Sequence, residues 1–399
     1  MEKIRVEHLT KIFNGHVKQV RDMLAKGKSK QQILEKTGAT VGVNDANFSV
    51  QDGEIFVIMG LSGSGKSTLI RMINRLIEPT SGHVYLDNQD IAKLSKDELR
   101  NVRRKKMSMV FQNFALFPHR NVLENAAYGL EIQGEDVEKR HERAEKALRR
   151  VGLGGYENQY PHQLSGGMQQ RVGLARALAS DADVLLMDEA FSALDPLIRK
   201  DMQDELLELQ EELHKTILFI SHDLNEALRI GNHILIMRDG AVVQVGTPED
   251  ILTAPADEYV ARFIEDVDRS KVITAGTVMI KPYTVNVDSD GPRVALRRMQ
   301  HNEVSTLMVV NSKRELVGTI DATDTIKLIK SDKENKVQGL GSIINADVPT
   351  TTADTPLREL LDQFAHTAMP VAVVDKDKRL RGIVIRGSVL AAMAGTGVA

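Results

Sequence analysis

The sequence predicts an α/β protein in which a largely parallel, helix-covered sheet is followed by a smaller α+β module. Three observations carry this. From residue 60 to about 245, apolar β-type runs ("KMSMVF", "DVLLMDEA", "TILFIS", "HILIM") alternate with helical stretches such as 137–151 and 197–213, the pattern of strands joined by crossover helices. A glycine-rich loop, "GLSGSGKST" at 60–68, follows a strong strand and opens the helix-like "LIRMINRLI". Beyond about residue 268, "GPRVALRRM" at 291 matches "TPLRELLDQ" at 355, and "LMVVNSKRELVGTI" at 307 matches "VAVVDKDKRLRGIV" at 371. Both pairs are offset by 64 residues, which marks two copies of one small unit.

Taken in order, residues 1–13 read as a strand and its exit. The segment 14–41 reads as a helical insertion in two pieces, with Ser29 and Gln32 spaced as a capping box and Gly38 as a stop. Residues 42–60 supply further strands around the turn "QDG". In the loop at 60–68, Gly60, Gly63 and Gly65 let the backbone amides face phosphates. Lys66 adds a positive charge at the β/γ end, and Ser67 offers a hydroxyl to Mg²⁺. The run "RRKK" at 103–106 reads as a solvated surface turn. "QLSGGMQQR" at 163–171 reads as a helix N-terminus suited to an anion, with the small residues Ser165, Gly166 and Gly167 at its tip. The strand "VLLMDE" ends in Asp188, placed for a magnesium shell, and Glu189, placed to orient or deprotonate a water. Each C-terminal copy reads as helix, strand, turn, strand, helix. The expected domains are 1–267, with a helical subdomain at about 115–180, and 268–399, with copies at about 272–335 and 336–399.

At 399 residues the chain exceeds one compact core. It has no cysteine, which excludes disulfides and thiolate metal sites. Its start lacks the pattern of a secretory signal, and the longest apolar stretches, such as "IFVIMGL" at 55–61, fall short of the roughly 18 residues a membrane span needs. Net charge is −3; residues 268–399 hold 18 Lys+Arg against 15 Asp+Glu, or +3, leaving −6 for the rest. An acidic main body argues against a nucleic-acid partner.

These motifs resemble those of ATP-binding cassette (ABC) ATPases over residues 1 to about 250. "GLSGSGKST", Gln112 after "MVF", "LSGGMQQ", "VLLMDE", "SALD" at 192–195 and His222 in "ISHD" occur in that family's order. The resemblance implies a P-loop domain with a RecA-like core and a helical subdomain, hydrolysing ATP with Mg²⁺. It implies catalytic roles for Lys66, Gln112, Glu189 and His222, and a metal shell of Ser67, Gln112 and Asp188. Phe13 would stack on adenine, and Gly60, Leu61, Ser62, Gly63, Ser64, Gly65, Lys66, Ser67 and Thr68 would wrap the phosphates. Ser165, Gly166, Gly167, Gln169 and Asp195 would act across a head-to-tail dimer, gripping nucleotide held by a second copy of the chain. Phe114, Leu116 and Phe117 would suit a socket for a transmembrane permease subunit; a core role for some of them stays open.

More narrowly, "EKTG", "GVNDANFSV", "RLIEPTSG" and "MDEAFSALDPLIR", followed by paired repeats, are similar to ATP-binding subunits of osmoprotectant importers. That implies uptake of glycine betaine or related quaternary amines, with a fused or separate substrate-binding protein, at the cytoplasmic face of the membrane. An importer for another solute, such as an amino acid, is the alternative. The C-terminal units resemble cystathionine-β-synthase-type (CBS) repeats. The first copy keeps Asp324 but has Asp321 where a hydroxyl residue is usual, and the second, "GIVIRGS", lacks the acid. The module is expected to brake transport in response to osmotic state, through cyclic di-AMP or ionic strength, with Arg293, Arg297, Arg298, Arg379 and Arg381 as its basic residues; a ligand-free dimerisation prop is the other reading.

Overall fold

In the computed structural model, which describes every residue except Asn113, Asp266, 332–338, Ala368 and 395–399, the chain divides into two units, Met1–Val267 and Asp268–Ala399. The first opens on strand β1 (Glu2–Phe13), which buries Ile4 and Val6 on one face. Two short helices follow, α1 (Val17–Ala25) and α2 (Lys30–Thr37). Helix α2 starts on a reciprocal cap, in which the Gln32 amide donates to Ser29 Oγ and the Ser29 amide donates to the Gln32 side chain. It stops at Gly38, which is left-handed with φ 68°. Val20 and Ile33 from these helices pack with Ile12 and Val41, so the insertion is fastened to β1 and the next strand, β2 (Thr40–Gln51).

Strand β3 (Ile55–Gly60), helix α3 (Lys66–Ile73) and the hairpin β4 (Ser81–Leu86) and β5 (Gln89–Asp90) come next. Strands β2, β1, β4 and β5 lie in that order in an antiparallel sheet. A largely parallel architecture therefore describes only the other sheet of this unit. Nothing in the local pattern of β1 tells that it pairs with β4, some 70 residues on.

Helix α4 (Lys96–Lys105) leads into β6 (Met107–Phe111). Here the expectation of a solvated "RRKK" turn fails: residues 103–105 form the last turn of α4, where cations suit the helix dipole. Arg103 donates to the carbonyls of Asn74 (2.8 Å) and Arg75 (2.6 Å), and its burial lowers its pKa. Helices α5 (Val122–Gln133), α6 (Val137–Arg150) and α7 (Gly166–Ala179) pack on one another. Then come β7 (Val184–Asp188), α8 (Pro196–Leu213), β8 (Thr216–Ser221), α9 (Leu224–Ile230), β9 (His233–Arg238) and β10 (Ala241–Gly246), followed by α10 (Pro248–Thr253) and α11 (Glu258–Phe263). The six-stranded sheet runs β10-β9-β3-β8-β7-β6 and is parallel except for β10. Every residue of β3, β7 and β8 is buried, as central parallel strands covered on both faces must be.

The second unit carries the repeat. Its first copy is α12 (Ala275–Val278), β11 (Thr284–Asn286), α13 (Pro292–His301), β12 (Thr306–Val310), β13 (Leu316–Asp321) and α14 (Ala322–Ser331). The second is β14 (Thr350–Thr351), α15 (Leu357–His366), β15 (Val371–Val374), β16 (Leu380–Val384) and α16 (Arg386–Met393). Each has one more strand than expected, because β11 and β14, of 3 and 2 residues, are too short to show periodicity. The copies also exchange segments. Ile273, Ala275 and Val278 sit in the core of the second copy with Leu357, Val371 and Val384, and Leu340 sits in the core of the first with Leu307 and Ile320. The expected division at 335/336 lies outside the described residues.

Candidate active site

The ends of three parallel strands converge on one pocket, the usual place for a ligand in an open α/β sheet. Strand β3 ends at Gly60 and feeds the loop 61–65; β7 ends at Asp188; β8 ends at Ser221, just before His222. Gly65 caps α3 with φ 111°, and a Cβ there would come within 2.4 Å of the Gly42 carbonyl oxygen. Only glycine fits. The loop thus presents the first amides of α3 to an anion.

Lys66 is 5% exposed, and its Nζ donates to the carbonyls of Gly60 (2.8 Å) and Leu61 (3.2 Å). Burial lowers its pKa, opposed by the charges of Glu189 and Asp188. Ser67 Oγ donates to Asp188 Oδ1 at 2.9 Å, and Arg71 donates to Asp188 Oδ2 at 3.0 Å. Arg71 was not singled out from the sequence, yet it lies four residues after Ser67 on α3 and so shares its face. Glu189 sits in a left-handed conformation, φ 50°, a costly state that recurs at functional positions. Its Oε2 lies 3.8 Å from His222 Nδ1.

The pocket has a volume of about 640 Å³. It runs from Phe13, Thr40, Val41 and Gly42 past Gly60, Leu61, Ser62, Gly63, Gly65, Lys66, Ser67 and Thr68 to Glu189 and His222. Of the loop residues, Ser64 points inward and is 4% exposed. Phe13 is half-buried, with Lys11 Nζ 5.0 Å above its ring. A hydroxyl and a carboxylate, Ser67 and Asp188, are the hard oxygen donors that suit Mg²⁺, an ion that takes few ligands from protein and the rest from phosphate and water.

Other predicted site residues stand apart from this pocket. Gln112 is exposed and donates to Ser192 Oγ at 3.0 Å. Ser165 caps α7, accepting from the Met168 amide at 3.3 Å, and both Ser165 and Gly166 are exposed. Gly167 lies against α8, where a Cβ would meet Ile198 at 2.7 Å. Gln169 is turned into its own subdomain, donating to the carbonyls of Pro161 (3.0 Å) and Leu164 (3.2 Å). Asp195 is exposed and caps α8 through the Ile198 amide at 3.1 Å.

A second groove of about 440 Å³ runs beside α4, α5 and α7. Its lining includes Leu76, Phe111, Tyr128 and Ile132, with Arg100, Arg103, Arg104 and Arg176. Phe114, Leu116 and Phe117, the expected socket, do not line it and are half-buried. Phe117 packs on Tyr128 with ring centroids 4.6 Å apart.

The model for the ABC transporter family matches residues 43–192, and that for the CBS domain matches 275–331 and 340–395. The glycine betaine/carnitine transport ATP-binding protein of Listeria monocytogenes serotype 1/2a is 61% identical, covering 100% of this chain and 99% of that protein. The chain belongs to the ABC transporter ATP-binding proteins. This ABC protein is also 58% identical to the glycine betaine transport ATP-binding protein of Bacillus subtilis, over 98% of this chain and 93% of that one. It is 50% identical to the glycine betaine/proline betaine transport system ATP-binding protein of Escherichia coli, over 99% and 98%. Among solved structures, the dimeric bacterial ABC transporter cassette MJ0796 matches with a TM-score of 0.52 and 34% identity, over 61% of this chain and 98% of that one. A second structure of that cassette is a dimeric post-hydrolysis state bound to ADP and Pi. The fold is thus an ABC-type P-loop domain followed by a CBS pair, and the chain is an ABC ATPase. Among the described residues no helix is long and apolar enough to cross a membrane.

Proposed function

We propose that this ABC ATPase energises uptake of glycine betaine or a related quaternary amine through separate transmembrane permease subunits. The full-length identity of 61% and 58% to ATP-binding proteins named for glycine betaine transport carries the reading. Lys66 and the loop amides hold the triphosphate, and Ser67 and Asp188 would hold Mg²⁺, which when bound would supply charge neutralisation to the phosphates. Glu189, steadied by His222, orients and deprotonates the attacking water. Two copies face each other, so the exposed tip at Ser165, Gly166 and Gly167 closes on the nucleotide of the partner copy. Asp195 meets the seam, and Gln112 senses the γ-phosphate once the halves close.

The groove beside α4 and α5 suits a short amphipathic helix of the permease: apolar Leu76 and Ile132 are 54% and 43% exposed, and the arginines fit an acidic or carbonyl-rich helix end. In this reading the chain sits at the cytoplasmic face of the membrane, held through that contact. The CBS pair regulates transport in response to osmotic state, through cyclic di-AMP or ionic strength. Arg298 and Arg381 are paired with Asp290 (2.9 Å) and Asp375 (2.8 Å), so an ionic-strength effect would act on these internal pairs as well as on an outside anion.

The test is to co-purify the chain with its permease subunits, place the complex in vesicles and measure ATP turnover. Glycine betaine is expected to stimulate turnover and to accumulate inside. Stimulation by an amino acid with no response to any quaternary amine would overturn the solute assignment.

A further inference from the structure

Of the described residues in the two helices of the insertion, Lys30, the first of α2, is the one that lines the nucleotide pocket. A lysine is poorly placed there by helix energetics, since the N-terminal turn carries the positive end of the dipole, and α2 has no acidic residue in that turn to offset it. The side chain is half-buried and lies along the turn between β9 and β10. A Cβ on Gly240, which has φ 80°, would be 2.7 Å from Lys30 Cε and 2.9 Å from Nζ. Glycine at 240 lets the ammonium lie against the backbone.

That backbone is joined to the phosphate loop. The Gly240 amide donates to the Ser64 carbonyl at 2.8 Å, and the Gly240 carbonyl accepts from the Asn44 amide at 2.8 Å. Gly42, on the same strand as Asn44, touches both ends of the nucleotide's path: a Cβ there would meet Phe13 Cε2 at 2.7 Å and Thr68 Cγ2 at 3.1 Å. Lys30, against Gly240, which contacts Gly42 in turn, therefore stands beside the stretch between the aromatic ring and the first turn of α3. It has no ion-pair partner within 4 Å among the described residues, and burial lowers its pKa, with the charge of Asp239 as the opposing influence. A desolvated cation without a close anion is costly unless a ligand supplies the charge.

We propose that Lys30 is a further nucleotide-binding residue, its ammonium pairing with the α-phosphate of ATP. The inference rests on the pocket's reading as the ATP site and gives the insertion a function: it delivers a second cation to the phosphates, at the end opposite the charge demand met by Lys66. Because the α-phosphate is common to AMP, ADP and ATP, the contact adds affinity for the nucleotide before and after hydrolysis, and does not select between them.

The test measures binding of ATP, ADP, AMP and adenosine to the full-length chain by calorimetry at low and moderate salt, for the wild type, Lys30→Ala, Lys30→Arg and Lys66→Ala. Lys30→Ala is expected to weaken ATP, ADP and AMP by a similar factor, about tenfold, to leave adenosine unchanged and to flatten the salt dependence. Lys30→Arg should restore most of the affinity. Unfolding temperatures without nucleotide check that the fold is kept. Equal affinities of wild type and Lys30→Ala for all three nucleotides would overturn the assignment, and so would a loss confined to ATP. Failure of the wild type itself to bind ATP, or of Lys66→Ala to weaken it, would instead sink the reading of the pocket.

Discussion

The phosphate loop at 60–68 and the tip at 165–167 are both glycine-containing helix N-termini, and they differ in what surrounds them. Around the first, three strand ends bring Asp188, Glu189 and His222 to the helix, Lys66 is 5% exposed, and a pocket of about 640 Å³ opens. Around the second, Ser165 and Gly166 face solvent, none of 165–167 lines that pocket, and Gln169 is committed to holding Pro161 and Leu164. A helix end alone is a weak anion site; it becomes strong when a buried cation and a walled pocket add to the dipole. The exposed tip lacks those additions, which is the physical case for the proposal that a partner copy supplies them.

The largest effect that sharpens this contrast comes from Glu189→Gln. ATP turnover should fall by at least about 100-fold with ATP binding retained, because the water loses its base while the phosphate loop is untouched; phosphate release and calorimetry read the two. A substitution at the second groove, Ile132→Glu, should abolish co-purification with the permease, by placing an unpaired carboxylate on an apolar helix seat, while the isolated chain binds ATP as before. Phe13→Ala should raise the KM for ATP by several-fold, the range of a stacking contact, with a smaller change in kcat.

The smallest effect concerns stability rather than the pocket. Glu226 is buried, accepting from Ser221 Oγ and from Gln203 Nε2, and its burial raises its pKa against the pull of those bonds. A carboxyl whose folded pKa is raised is best tolerated at low pH, and stability is lost as pH rises through the folded pKa. Glu226→Gln keeps an acceptor for Gln203 and turns the second contact into a donor to Ser221 Oγ, without the charge, so it should raise the melting temperature at pH 8 by about 2–4 °C. The gain should vanish as pH falls below the ordinary carboxylate range, as calorimetric melts at several pH values would show.

What was legible in the sequence was local. The spacing of the loop 60–68, the Ser29–Gln32 cap and the 64-residue repeat are written within a few residues or as self-similarity, and each appears where its residues stand. What was hidden depended on distant pairing. The antiparallel partnership of β1 with β4, the exchange of segments between the CBS copies and the groove beside α4 are all built by residues far apart in the chain. Arg103 shows why composition misled: a charge run reads as solvated, yet two carbonyls 28 and 29 residues away accept from it. Lys30 was invisible for the same reason, since only the folded insertion brings it to Gly240.

The most direct test of the central claim uses two chains, each lacking a different half. Lys66→Ala removes the cation of the phosphate loop, and Ser165→Arg blocks the exposed tip. Each alone, assembled with permease, should hydrolyse ATP at no more than a few per cent of the wild-type rate, on the order of the loss expected when transition-state contacts are removed. Mixed in equal amounts, half the dimers pair one with the other and contain one intact site, so turnover should recover to roughly a quarter. A Ser165→Arg chain as active as the wild type, or a mixture no faster than its parents, would contradict a site shared between two copies.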